Sequence, residues 1–431
     1  MSRRRSRAGE VSVYDRMCWR WQRLERALAQ GRHRRELAAY LGQSEYALLS
    51  ALARASAAAP RRKSRPKVYL LPGIMGSQLG HWRGRGHAAD LLWLDPSDIV
   101  RGRLAELRRG ADTTLEPLGG IVYSYLALKL RLQAAGFEVI LHAYDWREDI
   151  GALGARLAAR LRADRARELA LVGHSMGGLI ARAALAHIAG GATGARITRV
   201  VGLGTPHGGA LAAVQALRAT YPVVCRLAAV DRRHDAAALS REVFGTFMSV
   251  YQLLPADCGR LDLFDPRSWP RQGPKPDPGL LSAARGLGAL LAPADARFVS
   301  IIGTGQRTVV GLERRGGQFH YEISAAGDGT VAAARATLPG AADYYLRCEH
   351  SELPRSELVA AALVELLCTG RTRRLPQHVT VGHGRHAHVS DAQLGRALAR
   401  KIDWHALRTA DRRRYFARLN TPPALYWPSP R

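Results

Sequence analysis

Leu169-Ala-Leu-Val-Gly-His-Ser-Met-Gly-Gly-Leu-Ile-Ala-Arg-Ala-Ala-Leu185 is the stretch that decides the fold. Its apolar opening reads as a buried strand and its Ala- and Leu-rich close as a helix, with Gly173-His174-Ser175-Met176-Gly177 at the junction. This is G-x-S-x-G in a strand–turn–helix setting. A serine at the apex of a strained turn needs small neighbours two positions away on both sides, and Gly173 and Gly177 meet that need. The free amides opening the helix face the turn, so an anion forming beside Ser175 is stabilised without reorganisation.

Outward from this motif, strands alternate with helices. Val68-Tyr-Leu-Leu71 reads as a short buried strand that delivers Pro72-Gly73-Ile74-Met75-Gly76. Tyr123 to Ala135 reads as a helix stopped at Gly136, Phe137 to Leu141 as a strand, and Ile150 to Arg165 as a further helix. Ile197 to Leu203 is another strand, delivering Gly204-Thr-Pro-His207-Gly-Gly-Ala210. The alternation predicts an α/β fold, a mostly parallel central sheet with helices on both faces, whose active-site rim is formed by loops at the carboxyl ends of the strands. From about 211 to 292 the pattern loosens, and this region is read as an inserted cap over the sheet. Strand character returns at Arg297 to Ile302, a hairpin follows over 308–323, and a last strand over Asp343 to Cys348 precedes a helix over Arg355 to Leu367.

A serine hydroxyl is a poor nucleophile at neutral pH and needs a base held by an acid. In this fold the chain order is serine, acid, histidine. Asp328, in the Gly-flanked loop Ala326-Gly-Asp-Gly-Thr-Val331, and His350, at the end of the last strand, fall in that order. Ser175 is therefore read as nucleophile, His350 as general base and then acid, and Asp328 as the group that orients the imidazole. Met75, in the Gly-rich turn that includes Gly73, and Met176 are positioned to donate backbone N–H groups to an oxyanion. Asp343 and Glu349 are the fallback acids, and His174 competes as base only in sequence, since a neighbour of the nucleophile on a tight turn points away. Asp145 precedes the serine, so Asp145 and Arg147 are assigned to bracing loops rather than to chemistry. Trp82, Trp93 in a loop-like segment, His207 on the rim, and Phe247 and Tyr251 in the cap are candidates for a substrate surface.

The 431 residues, 47% of them hydrophobic, suffice for one elaborated domain or two smaller ones. We divide them into a basic helical module (1–58), a linker (59–66), a hydrolase-type domain (67–368) and a basic, His-rich extension (369–431). Val13, Met17, Trp21, Leu24 and Leu28 recur at helical spacing, and packing on the chain's own domain is the favoured fate of that helix. His383, His386 and His388 match no zinc spacing, so no metal and no cofactor is expected. Five scattered cysteines without a C-x-x-C pair argue against a disulfide scaffold. No signal pattern or membrane-spanning run is found, which points to the cytoplasm with peripheral membrane contact, non-classical export staying open. The net charge of +28 suits an anionic phospholipid surface or a polyanion, and a coding bias toward Arg explains it equally well. Nucleic acid is disfavoured because no aromatic–basic strand motif or zinc spacing accompanies the charge.

Taken together, Pro72-Gly-Ile-Met-Gly-Ser77, Leu92-Trp-Leu-Asp95, Tyr144-Asp-Trp-Arg147, Gly173-His-Ser-Met-Gly177, Gly204-Thr-Pro-His-Gly-Gly209, Tyr251-Gln-Leu-Leu-Pro255 and Gly327-Asp-Gly-Thr-Val331 resemble the lecithin:cholesterol acyltransferase-like lipases and acyltransferases. The resemblance covers roughly residues 66 to 368. It implies an α/β-hydrolase core with a cap, a triad on Ser175, Asp328 and His350, oxyanion amides on Met75 and Met176, and an acyl-enzyme formed from lipid esters. Some members pass the acyl group to an alcohol and others to water. The segment around Trp82 lacks the paired cysteines of eukaryotic members, which argues against a secreted, lipoprotein-type role. The expectation is a phospholipase- or lipase-type ester hydrolase, with acyltransfer open. The alternatives are a depolymerase or esterase of a non-lipid polyester and a catalytically inactive polyanion-binding protein.

Overall fold

The computed structural model describes residues 19–62, 64–82, 89–110, 114–188, 190–379 and 386–421. His383, Val13 and Met17 lie outside the described residues. Three helices come first, α1 (Trp21–Gln30), α2 (Arg34–Leu41) and α3 (Gln43–Ala58). Strand β1 (Lys67–Leu71) leads to β2 (Ser77–Trp82), β3 (Ala89–Trp93) and β4 (Glu116–Gly120). Helix α4 (Val122–Ala134), β5 (Val139–Leu141), α5 (Ile150–Ala163), β6 (Leu169–His174), α6 (Met176–Ile188) and β7 (Ile197–Leu203) then alternate.

Six strands form one wholly parallel sheet in the order β11-β8-β7-β6-β1-β5, where β8 is Phe298–Thr304 and β11 is Ala342–Arg347. The chain leaves β1 first for β5 on one side and then for β6 on the other. That reversal opens a crevice at the carboxyl ends of the strands, the place where ligands bind in open sheets.

The period of two along each strand separates two cores. Tyr69 and Leu71 of β1, with Leu169 and Leu171 of β6, share a core with α5, α6 and side chains from residues 211–287. Val68, Leu70, Ala170 and Val172 face the other way, onto α4 and α10 (Glu357–Thr369). Both faces being covered, β1 and β6 read as near-continuous apolar runs. Helices α1–α3 belong to the second core: Leu24, Leu28, Leu37 and Leu49 are buried with Leu126 and Leu130. The Tyr123 hydroxyl donates to the Tyr40 carbonyl at 2.6 Å, and Lys129 pairs with Glu25.

Residues 211–292, expected to form a cap, carry α7 (Leu211–Leu217), α8 (Pro222–Val230) and α9 (Ala236–Glu242), whose Val214, Val224, Leu227 and Leu239 join the first core. Strands β9 (Thr308–Arg315) and β10 (Gln318–Ser324) make the expected antiparallel hairpin. A strand absent from the sequence reading, β12 (Ala387–Ser390), adds to its edge, with His386 Nδ1 at 2.5 Å from Glu322 Oε1. Helix α11 (Asp391–Leu398) starts with a capping box on Ser390 and Gln393, and α12 (Thr409–Ala417) follows.

One segment departs from its expected form. Leu91-Leu-Trp-Leu-Asp95, read as loop-like, contains strand β3, which pairs antiparallel with β2 in the small sheet β3-β2-β4. Leu91, Leu92 and Trp93 are all buried, so the strand lacks the alternation that would have marked it.

Candidate active site

Ser175 sits between the end of β6 and the start of α6 with φ +54°, the left-handed region that a non-glycine residue occupies only under constraint. Its N–H donates to the Leu203 carbonyl at 2.8 Å, tying the turn to the end of β7. The flanking glycines are required by contact with backbone. A Cβ on Gly173 would lie 2.4 Å from the Gly178 nitrogen, and one on Gly177 would lie 2.4 Å from the Leu71 carbonyl oxygen.

His350 follows β11, and Asp328 lies in the loop after β10. The imidazole Nδ1 donates to Asp328 Oδ2 at 2.6 Å, and the His350 N–H donates to the Asp328 carbonyl at 2.8 Å. The other carboxylate oxygen accepts the Thr330 and Val331 amides at 3.0 and 2.7 Å, which fixes the acid in place. Both residues are buried. With Nδ1 engaged as donor, the neutral ring keeps its lone pair on Nε2. The backbone of Gly204, at φ +58°, lies under this pair: a Cβ there would be 2.9 Å from Asp328 Oδ2 and 3.1 Å from His350 Nδ1.

Ser175 and His350 line one cavity of about 630 Å³, a size suited to a small-molecule ligand. Met75 lines it too, at φ +61°. Neither the Met75 nor the Met176 amide has a hydrogen-bond partner among the described residues. The 72–77 loop is pinned from several sides. Gly73 N–H donates to the Tyr125 hydroxyl at 2.9 Å, Tyr144 donates to the Pro72 carbonyl, Trp93 Nε1 to the Met75 carbonyl at 2.8 Å and Trp146 Nε1 to the Ser77 carbonyl at 2.9 Å.

His174 is the hub of this arrangement. Its Nε2 lies 3.0 Å from the His350 carbonyl, and its Nδ1 lies 2.9 Å from the Tyr125 hydroxyl. A carbonyl only accepts, so Nε2 carries the proton, Nδ1 accepts from Tyr125, and the tyrosine oxygen is left to accept Gly73 N–H. Burial, and then the neighbouring His350, lower the His174 pKa to about 3, which keeps the ring neutral. One side chain thus joins the 72–77 loop, through Tyr125, to the serine turn and the backbone of His350.

With this geometry in place, residues 130–240 match the family described as the PGAP1-like alpha/beta domain. No curated protein matches the chain. Among solved structures, the chain is similar to the mature form of the Bacillus licheniformis lipase BlEst2, with 18% identity over 71% of this chain and 94% of that one and a TM-score of 0.37. It is also similar to a chain of the Tle4-Tli4 complex, with 13% identity, coverage of 71% and 99% and a TM-score of 0.45. A putative aryl esterase from Burkholderia cenocepacia gives 12% identity, coverage of 72% and 92% and a TM-score of 0.30. The parallel sheet, its crossover order and its flanking helices are those of an α/β-hydrolase architecture.

Asp145 and Arg147 form a buried bidentate pair at 2.8 and 2.7 Å, and Arg147 Nη1 also holds the Leu107 carbonyl at 2.8 Å. The pair braces two loops and does not line the cavity. Of the five aromatic or imidazole residues assigned to a substrate surface, Trp82, His207, Phe247 and Tyr251 do not line this cavity. Phe247 packs edge-on against Trp146, and Tyr251 donates to the Gly245 carbonyl, both inside the first core. Trp82 is half-buried under the Arg20 guanidinium, and His207 stands 3.4 Å from Arg182. Only Trp93 reaches the cavity. Apolar spacing marks these side chains as inward-facing without telling core from cavity. Tyr125 was missed because its role depends on a contact 49 residues away, with no local signal beyond an apolar helix face.

Among the described residues no helix is long and apolar enough to cross a membrane, and no group of three or more His, Cys, Asp or Glu could hold a metal ion.

Proposed function

We propose that this chain is a serine-dependent carboxylic-ester hydrolase that acts on lipid esters through an acyl-enzyme. The observation that carries the reading is the Asp328–His350 contact at 2.6 Å beside a cavity that His350 shares with a left-handed Ser175. In the reading, Ser175 Oγ attacks the ester carbonyl as His350 Nε2 takes its proton, and the carbonyl oxygen, now an oxyanion, receives the Met75 and Met176 amides. Collapse breaks the acyl–oxygen bond, and the imidazolium returns the proton to the departing alkoxide. Water then repeats the sequence on the acyl-enzyme, releasing the carboxylic acid and restoring Ser175. An alcohol in place of water would give acyltransfer by the same steps. Asp328 supports the imidazolium electrostatically throughout.

The apolar wall of Ile74, Leu94, Ile121, Val223, Val250 and Leu253 supports an acyl chain rather than a polar polyester repeat. The resemblance to lecithin:cholesterol acyltransferase-like lipases points the same way. The charge of +28 supports peripheral contact with an anionic membrane surface, in the cytoplasm. A fluorophosphonate probe tests the reading: it should label the wild-type protein and leave Ser175→Ala unlabelled, with p-nitrophenyl ester turnover falling on the order of 10⁶-fold. Labelling that survives the substitution would remove the assignment.

A further inference from the structure

The wall of the cavity opposite the sheet comes from the far end of the chain. Arg413, Phe416, Leu419 and Asn420, on and just after α12, line it. This wall is fastened to the acid loop. Asn420 Nδ2 donates to Thr330 Oγ1 at 2.8 Å, two residues from Asp328, and Tyr221 donates to Asn420 Oδ1. Tyr415 donates to the Arg226 carbonyl at 2.7 Å, and Arg226 donates back to the Leu419 carbonyl at 2.7 Å.

The charges facing the cavity do not balance. Glu45 and Glu352 both lie on its wall, and Arg355 holds each of them at 3.2 Å. Arg414 is exposed and shares Asp411 with Arg408, at 3.8 and 3.0 Å. Arg413 has no carboxylate within ion-pair distance among the described residues, and its Nε is buried without a hydrogen-bond partner. The turn between α2 and α3 makes room for it. A Cβ on Gly42, at φ +91°, would stand 2.6 Å from Arg413 Nη1, so the guanidinium lies against bare backbone. A guanidinium whose Nε is buried and unpartnered is costly unless a ligand supplies the anion.

We propose that Arg413 is the anion-binding element of this cavity, and that the substrate is an amphiphilic acyl ester carrying an oxyanion, phosphate or carboxylate, which the guanidinium takes while the acyl chain follows the apolar wall. The guanidinium fork matches either oxyanion with two parallel N–H···O bonds. This inference rests on the ester-hydrolase reading above and narrows its substrate class.

Two matched pairs of single-chain esters test it: 1-lauroylglycerol against its 3-phosphate, and p-nitrophenyl octanoate against the mono-p-nitrophenyl ester of octanedioic acid. The wild-type protein should prefer the anionic member of at least one pair in kcat/KM. Arg413→Gln should lower that preference about 10- to 100-fold, the effect of losing a charged hydrogen bond. Arg408→Gln, which removes the same charge from the exposed start of α12, should leave the preference in place. A loss in the phosphate pair identifies a headgroup phosphate, and a loss in the carboxylate pair identifies a chain-terminal carboxylate.

The inference is overturned if the wild-type protein prefers the neutral member of both pairs, a result that needs no variant to fold. It is equally overturned if Arg413→Gln and Arg408→Gln shift the ratios alike. The underlying reading is tested separately: undiminished turnover of p-nitrophenyl octanoate by Ser175→Ala would remove the hydrolase itself, whatever Arg413 does.

Discussion

Replacing Tyr125 by Phe deletes one oxygen and leaves the packing of a buried ring intact. That oxygen accepts Gly73 N–H at 2.9 Å and donates to His174 Nδ1 at 2.9 Å. Burial pushes the phenol pKa well above the ordinary tyrosine range, so the hydroxyl keeps the proton it donates. Without it, one buried donor and one buried acceptor are stranded, each at about 1–3 kcal/mol. The expected loss of folding stability is therefore about 2–6 kcal/mol, a large part of the whole for an ordinary domain. Gly73 opens the loop that bears Met75, so a shift there also moves the proposed oxyanion donor. A displacement of about 1 Å in a catalytic group costs about 100-fold in rate. Urea unfolding followed by tryptophan fluorescence reads the first quantity, and kcat/KM on a p-nitrophenyl ester reads the second. A Tyr125→Phe protein within about 0.5 kcal/mol of wild type, the ordinary range for a surface change, with unaltered kcat/KM, would refute the account of His174 as the hub.

Asp328→Asn should keep the fold and lower kcat by about 10⁴-fold, because an amide supports neither the required tautomer nor the imidazolium; a fall of less than about 10-fold on a p-nitrophenyl ester would contradict the assigned role. Gly177→Ala should destabilise the protein by about 1–3 kcal/mol, since the new methyl must displace the backbone at Leu71 and Pro72; a urea midpoint equal to wild type would show that the turn has slack. Burial lowers the pKa of His142 to about 4, and of His174 and His207 to about 3, against an ordinary 6.5. Below pH 6.5 the unfolded chain binds protons that the folded chain refuses, so stability is full above that pH and is lost as pH falls toward 4 and 3. The three together should cost about 3 kcal/mol between pH 6.5 and 5.5, and a urea midpoint constant across that interval would refute it.

The serine turn and the meeting of Asp328 with His350 were legible because each depends on local chemistry: a left-handed apex framed by glycines at 173 and 177, and a carboxylate and an imidazole in the loops after β10 and β11. The parallel sheet was legible for a related reason, since strands covered on both faces announce themselves as apolar runs between helices. Strand β3 was not, because a short buried strand and a buried loop look alike in sequence. Nor were the walls of the cavity. Phe247 and Tyr251 carry the aromatic character of a substrate surface and spend it on the core, whereas Arg413, in a basic tail with little pattern, reaches the site. Such placements are decided by contacts between segments more than a hundred residues apart, as with Asn420 against Tyr221.

The His174 ring has one further consequence. It grips the main chain of His350, beyond the end of β11, from the end of β6 with β7 and β8 between, so the His350 ring and the Ser175 hydroxyl are registered across the sheet by a buried tether. Disengaging them requires opening the interior. Heating should therefore extinguish catalysis and melt the architecture in one event, leaving no temperature interval in which a compact but idle enzyme survives.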